Sequence, residues 1–265
     1  MIRFLERDNA PNFIKLAGTG ERGEWGMPIY FASSGDPVYE VQQDKYPLPE
    51  ALTAIHIPRG AAADPTSDGE LTIYDLQAGV VCGLWHAQYE EPTDKWSADG
   101  GDCYYLASNG LNGDLRQADD HRNSGHRGVP SAIAAVRFDE VQVGVIDHVL
   151  KLAVDNAHWR HVFPMIGSDG DSDARFAPPE GARIRLRPGV RLKGLGLVPA
   201  ALTVARALKR YGAVIGDQSG GGVTLKVENT VAEGRGWLWR DLLNAKSLSK
   251  IPLSRYVIVQ LGYGR

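Results

Sequence analysis

The chain has little cysteine: only Cys82 and Cys103 occur among its 265 residues, too few for a disulfide scaffold. It has no apolar stretch of membrane-spanning length, so no membrane partner is expected. It has no basic excess either. A formal net charge of −3 argues against a duplex nucleic-acid partner, whose phosphates demand a concentrated basic face. The opening residues, MIRFLERDNAPNF, lack the apolar centre of a secretory signal. Two readings of location follow: a secreted or cell-surface protein whose leader has been removed, or a cytoplasmic one. Motifs of nucleophile and phosphate chemistry are missing as well. There is no G-x-S-x-G elbow, no Walker loop and no H-E-x-x-H zinc pair.

What the chain does have is turn-forming residues, with Gly 31 and Pro 15 spread along its length. Between them lie short β-branched or aromatic runs. ALTAIHIP (51–58), ELTIYDL (70–76), AGVVCGLWHAQYE (78–90), HVLKLAV (148–154), RHVFPMI (160–166), ARIRLRP (182–188), AVIGDQ (213–218) and RYVIVQL (255–261) read as strands. VPAALTVARALKRYG (198–212) reads as a helix: its apolar residues recur at three- and four-residue steps, Pro199 opens it and Gly212 stops it. GWLWRDLLNAKSLSKI (236–251) predicts a second short helix, and residues 139–146 a helical turn. Residues 91–130 form a long irregular excursion, suited either to a ligand-facing loop or to a solvated one. With no repeat and no linker, the pattern predicts one mostly-β domain over 1–265, a β-sandwich or jelly roll with two short helices. Residues 1–50 form an extension packed on it. The two cysteines sit in strand-like segments, VVCGLW and GDCYYL, that can face each other across a hairpin. A bond there would favour an oxidising compartment; two buried thiols are the alternative.

Several blocks carry a family resemblance: SDGELTIYD (67–75), GGDCYYLASNGL (100–111), GHRGVPSAIAAVRFDEVQVGVIDHVLKLAV (125–154), HVFPMIGSDGD (161–171), PPEGARIRLRP (178–188) and ALKRYGAVIGDQSG (207–220). Together they resemble a widespread, poorly characterised family of bacterial β-sandwich proteins. The most specific pieces are the Arg-Phe-Asp-Glu…Gly…Ile-Asp-His run and the Ala-Leu-Lys-Arg-Tyr-Gly…Asp run. The resemblance spans roughly residues 55–260 and implies a jelly-roll fold, secretion and action on glycans. The chain departs from the pattern at two places. It has Gln218-Ser219-Gly220 where relatives often carry Asn-Gly-Ser, and Glu70 where many have His.

The side chains left for chemistry are carboxylates, histidines and arginines. Glycoside hydrolysis needs two carboxyls, one to protonate the leaving oxygen and one to attack or to activate water. Asp68 and Glu70, at a strand entrance, and Asp217, at the end of the AVIGD strand beside a glycine run, are the candidates. His148 lies in an apolar segment and is either a core residue or an acid/base group titrating near neutral pH. His126 and Arg127 are candidate ligand contacts; an Arg beside a His suits neutralisation of a uronate in a polysaccharide lyase. Trp85, Trp96 and Tyr104, with Tyr89 and Tyr105, offer ring faces for sugar stacking, or else core packing. Asp169, Asp171 and Asp173 alternate as in a hard-cation loop, so a structural calcium there competes with a plain turn. His158 and His161 would need a third ligand from elsewhere to hold a metal. No other cofactor or metal is expected.

These residues support a carbohydrate-active enzyme that cleaves a poly- or oligosaccharide, as a hydrolase using paired carboxylates. The alternatives are a lyase using His and Arg, a non-catalytic carbohydrate-binding module, and a structural or virion-associated protein whose long loops serve assembly. The sequence leaves the oligomeric state open.

Overall fold

The computed structural model describes residues 1–107, 123–124 and 128–259. The protein is mostly β, with three α-helices and several sheets among the described residues. The larger main sheet has six strands in the order Lys15–Ala17, Thr224–Lys226, Leu150–Val154, Ala213–Gln218, Arg183–Leu186 and Tyr256–Val259. The second has five: Asn123–Ser124, Gly100–Tyr105, Val80–Trp85, Leu71–Asp75 and Ile29–Ala32. Both are mixed. Leu150–Val154 runs parallel to Ala213–Gln218, and Ile29–Ala32 parallel to Leu71–Asp75, while Leu71–Asp75, Val80–Trp85 and Gly100–Tyr105 form an antiparallel meander.

The central strands explain themselves. Leu71–Asp75 and Leu150–Val154 are buried at every position, as near-continuous apolar runs covered on both faces must be. Each carries one charged residue, Asp75 and Lys151, which therefore has to be accommodated inside. Asp75 accepts from the His56 and Ala78 amides, both at 2.9 Å, and lies 2.8 Å from His56 Nδ1. Lys151 lies beside Asp217 at the candidate site.

The Pro199–Arg210 helix forms where the periodicity places it, burying Ala201, Val204, Ala205 and Leu208 on the six-stranded sheet. Gly212, at φ +76°, takes the left-handed turn that ends it. The helical turn near 139–146 is the helix Phe138–Val143. The helix predicted over 236–251 is instead a chain of turns. Asn244 and Ser247 satisfy the backbone locally: Ser247 Oγ accepts from the Asn244 amide at 2.8 Å, and Asn244 Oδ1 from the Lys246 amide at 2.9 Å. Trp239 is fully buried and donates its indole N–H to the Glu228 carbonyl at 2.7 Å, which fixes the segment without helical periodicity. A helix at Ile2–Asp8 was not read from the sequence.

The first fifty residues do more than pack on the outside. Lys15–Ala17 is an edge strand of one main sheet and Ile29–Ala32 an edge strand of the other, and Leu5, Ile14 and Leu16 lie in the largest core cluster. Within the 91–130 stretch, Lys95–Ala98 and Gly100–Tyr105 are strands. Cys82 and Cys103 are cross-strand partners and are joined by a disulfide. Among the described residues, no helix is long and apolar enough to cross a membrane.

Candidate active site

A cleft of about 610 Å³ opens between the two main sheets. The five-stranded sheet contributes one wall through Leu71, Thr72, Gly83, Trp85 and Asp102. The six-stranded sheet contributes Asp217 and Gln218, and loops add Asp68, Glu70, Ser131, Ile166 and Asp169. Five carboxyl side chains thus line one cavity, with no Lys, Arg or His among the described lining residues. Two lysines, Lys151 and Lys226, lie behind the wall beside Asp217.

The three carboxylates singled out in the sequence come together, by a route that strand alternation does not give. The strand begins only at Leu71, and Gly69 at φ +50° forms a tight turn that lets the residues on either side approach one cation. Lys226 Nζ forms an ion pair with Glu70 and lies 3.7 Å from Asp68 Oδ2. Burial works against the Lys226 charge, but Glu70, Asp217 and Asp68 outweigh it and hold the ammonium well above the usual lysine range. Burial also raises Glu70, against the pull of Lys226.

Asp217 is placed by a β-bulge. Leu152 pairs with Ile215 but Ala153 pairs with Asp217, so Gly216 is the extra residue. Glycine leaves room there for the Lys151 stem, which crosses the backbone at that point: a Cβ would sit 2.6 Å from Lys151 Cε and would have to displace it. Beyond the bulge, Asp217 faces the cleft and shares a hydrogen bond with Asp169. Burial, reinforced by Asp169 and opposed by Lys151 and Lys226, pushes the Asp217 carboxyl up to about 6. Such a carboxyl gives up or takes a proton near neutral pH, as a general acid must.

Lys151 is 6% exposed, and its Nζ lies 3.0 Å from Ser131 Oγ. Burial lowers it from the usual lysine range; Asp217 and Asp102 oppose that shift and Lys226 adds to it.

The rim is aromatic. Trp85 lines the cleft and stacks near Tyr46, with ring centroids 6.3 Å apart, and Lys45 lies over both rings at 5.1 and 5.6 Å. The other sequence candidates lie elsewhere. Trp96 is 3% exposed within the core under the five-stranded sheet, so packing accounts for it. Tyr104 packs against the small cluster around Met27 and Tyr74 and does not line the cleft. His148 does not line it either. Its Nε2 lies 3.1 Å from Glu140 and its Nδ1 2.8 Å from the Val149 carbonyl. Burial pulls the ring down, but Glu140 and that carbonyl prevail and raise it above the ordinary histidine value. His126 and Arg127 lie outside the described residues.

In the Asp169–Asp173 loop, Asp169 Oδ1 accepts from the Gln218 amide at 3.0 Å and Asp171 Oδ1 from Gln218 Nε2 at 3.2 Å. These carboxylates tie the loop to the strand that carries Asp217. Among the described residues, no group of three or more His, Cys, Asp or Glu is arranged to hold a metal ion.

Sequence reasoning missed Lys151, Lys226, Asp102 and Ser131, and assigned Asp169 only to a cation loop. A signal existed for Lys151: a lone lysine inside HVLKLAV, a run apolar on both sides, marks a buried cation in need of partners. Compared with family models, curated proteins and solved structures, the chain matches none, so the functional reading rests on the cleft itself.

Proposed function

We propose that the protein cleaves a poly- or oligosaccharide as a glycoside hydrolase, with Asp217 as the proton donor and Asp68 as the second carboxylate. The observation that carries this is the Asp217 carboxyl, pushed up to about 6 on the wall of a cleft that also holds Asp68 and Glu70. Two carboxyls in contrasting environments divide acid and base roles. Asp217 is enclosed and next to Asp169, while Asp68 is 37% exposed and lies beside the Lys226 ammonium. Glu70, locked to Lys226, fixes that ammonium. Trp85 and Tyr46 at the rim offer ring faces to a sugar.

The described cleft wall carries five carboxyls and no Lys, Arg or His, a lining better suited to a neutral glycan than to a uronate, which favours hydrolysis over lyase chemistry. The disulfide fits an oxidising compartment, and with it a secreted location.

The test is a polysaccharide panel read for new reducing ends and for the ultraviolet absorbance of unsaturated uronates. Reducing ends released without absorbance, and lost in Asp217→Asn, support the proposal. Absorbance rising with them indicates a lyase. Glycan binding without cleavage leaves a binding module, and a protein that neither binds nor cleaves ends the carbohydrate reading.

A further inference from the structure

The carboxylate scheme does not use the pair Ser131–Lys151. Ser131 follows Pro130 on a turn and lines the cleft. That turn is pinned to both lysine strands. The Lys151 amide donates to the Ala134 carbonyl at 2.9 Å, and the Val136 amide to the Lys226 carbonyl at 3.2 Å. The lysine side chain arrives from behind, across Gly216, and ends 3.0 Å from the serine oxygen. We propose that Ser131 and Lys151 are a nucleophile–base pair that hydrolyses small acyl esters presented in this cleft, an activity independent of the glycosidase reading.

The geometry meets the requirements of an activated serine: a hydroxyl facing a cavity, a base within hydrogen-bond reach, and a base held in place by its surroundings. An amine serves as base only when it has a lone pair, and enclosure of Lys151 favours the neutral form. The charged groups facing it are Asp217, Asp102, Lys226 and Glu70. Of these, Glu70 is taken up by the ion pair with Lys226. The Ala132 amide follows the nucleophile on the cleft wall and is the oxyanion donor this proposal requires.

In the reaction, Ser131 Oγ attacks the ester carbonyl carbon and its proton passes to Lys151 Nζ. The carbon–oxygen bond to the alcohol then breaks, the alcohol oxygen takes that proton, and an acyl-serine remains. Water adds to the acyl carbon, giving a proton to Lys151, which returns it to Ser131 Oγ as the carboxylic acid leaves. The sum is ester plus water to acid plus alcohol, and the rate rises with pH as Lys151 loses its proton.

The experiment combines labelling of the full chain by an alkyl fluorophosphonate, mapped by peptide mass, with turnover of p-nitrophenyl acetate. The expected result is a single adduct on Ser131, and ester hydrolysis reduced by about 100-fold or more in Ser131→Ala and in Lys151→Met. Ser131→Ala stands alone if Lys151→Met does not fold, because Ser131 lies on the cleft wall. No adduct on Ser131 in the folded protein, or wild-type ester turnover in Ser131→Ala, overturns the proposal whatever the glycan panel shows.

Discussion

Replacing Asp217 with Asn should stabilise the protein above neutral pH while abolishing the proposed glycan cleavage. The carboxyl ionises at 3.8 in the unfolded chain and at about 6 in the folded one. Because the folded value is the higher, the folded state binds more protons between those limits. Stability from this group is fully present below 3.8 and is lost as pH rises through about 6. At about 1.4 kcal/mol for each pH unit between the two values, the loss is ~3 kcal/mol. Asparagine is nearly isosteric, neutral at every pH, and can donate its amide hydrogen to Asp169. The variant and the wild type should therefore have equal stability near pH 3.8, and the variant should be more stable by about 3 kcal/mol at pH 8. With a urea dependence of about 3 kcal/mol per molar, that is a midpoint difference of roughly 1 M. Urea melts at several pH values measure it directly. A difference that does not change with pH, or a variant less stable than wild type at pH 8, would refute the account of Asp217 as an enclosed carboxyl ionised at a cost.

Two further outcomes follow from the same interior. The Cys82–Cys103 bond closes a loop of 21 residues, for which the chain-entropy relation gives ~3 kcal/mol, so reduction or the double Ala variant should lower the urea midpoint by about 1 M. Lys226→Met removes the cation from Glu70 and Asp68 and should destabilise the fold by about 3–5 kcal/mol at neutral pH. That loss should shrink as acid protonates the two carboxylates, which melts run at descending pH will show.

The fold was legible where a local pattern had only one solution. Leu71–Asp75 and the Pro199–Arg210 helix follow from apolar spacing and flanking Gly and Pro alone. The 236–251 segment misled because Trp239, Leu242 and Leu243 mimic a helical face at three- and four-residue steps, while Asn244 and Ser247 close the backbone into turns. Asp68, Glu70 and Asp217 were found as residue types at strand ends, but what joins them was not readable. Lys226 comes from a strand on the other sheet, and the bulge at Gly216 is a property of strand register. Trp96 shows the converse: an aromatic near a loop gives no sign in sequence that its ring turns inward.

A second acid cluster shows why the cleft, rather than buried charge as such, carries the functional reading. Glu228 and Glu233 lie together against Arg235, and burial with the neighbouring Glu228 pushes Glu233 up to about 8, further than Asp217. Yet these carboxylates accept backbone amides, Glu233 that of Ile29 at 2.8 Å and Glu228 that of Phe138 at 2.5 Å. They join the C-terminal turns to an edge strand and to a helix, and neither lines the cleft. Their perturbation is spent on holding segments together. Around Asp217 the backbone instead gives way, through a bulge and a glycine that admits a lysine stem, and the carboxyls face a cavity large enough for a ligand. Hydrophobic residues of similar volume would often be at least as stable in either place. Only in the cleft is the ionisable group both costly and exposed to something it can act upon, which is the combination expected where stability is given up for chemistry.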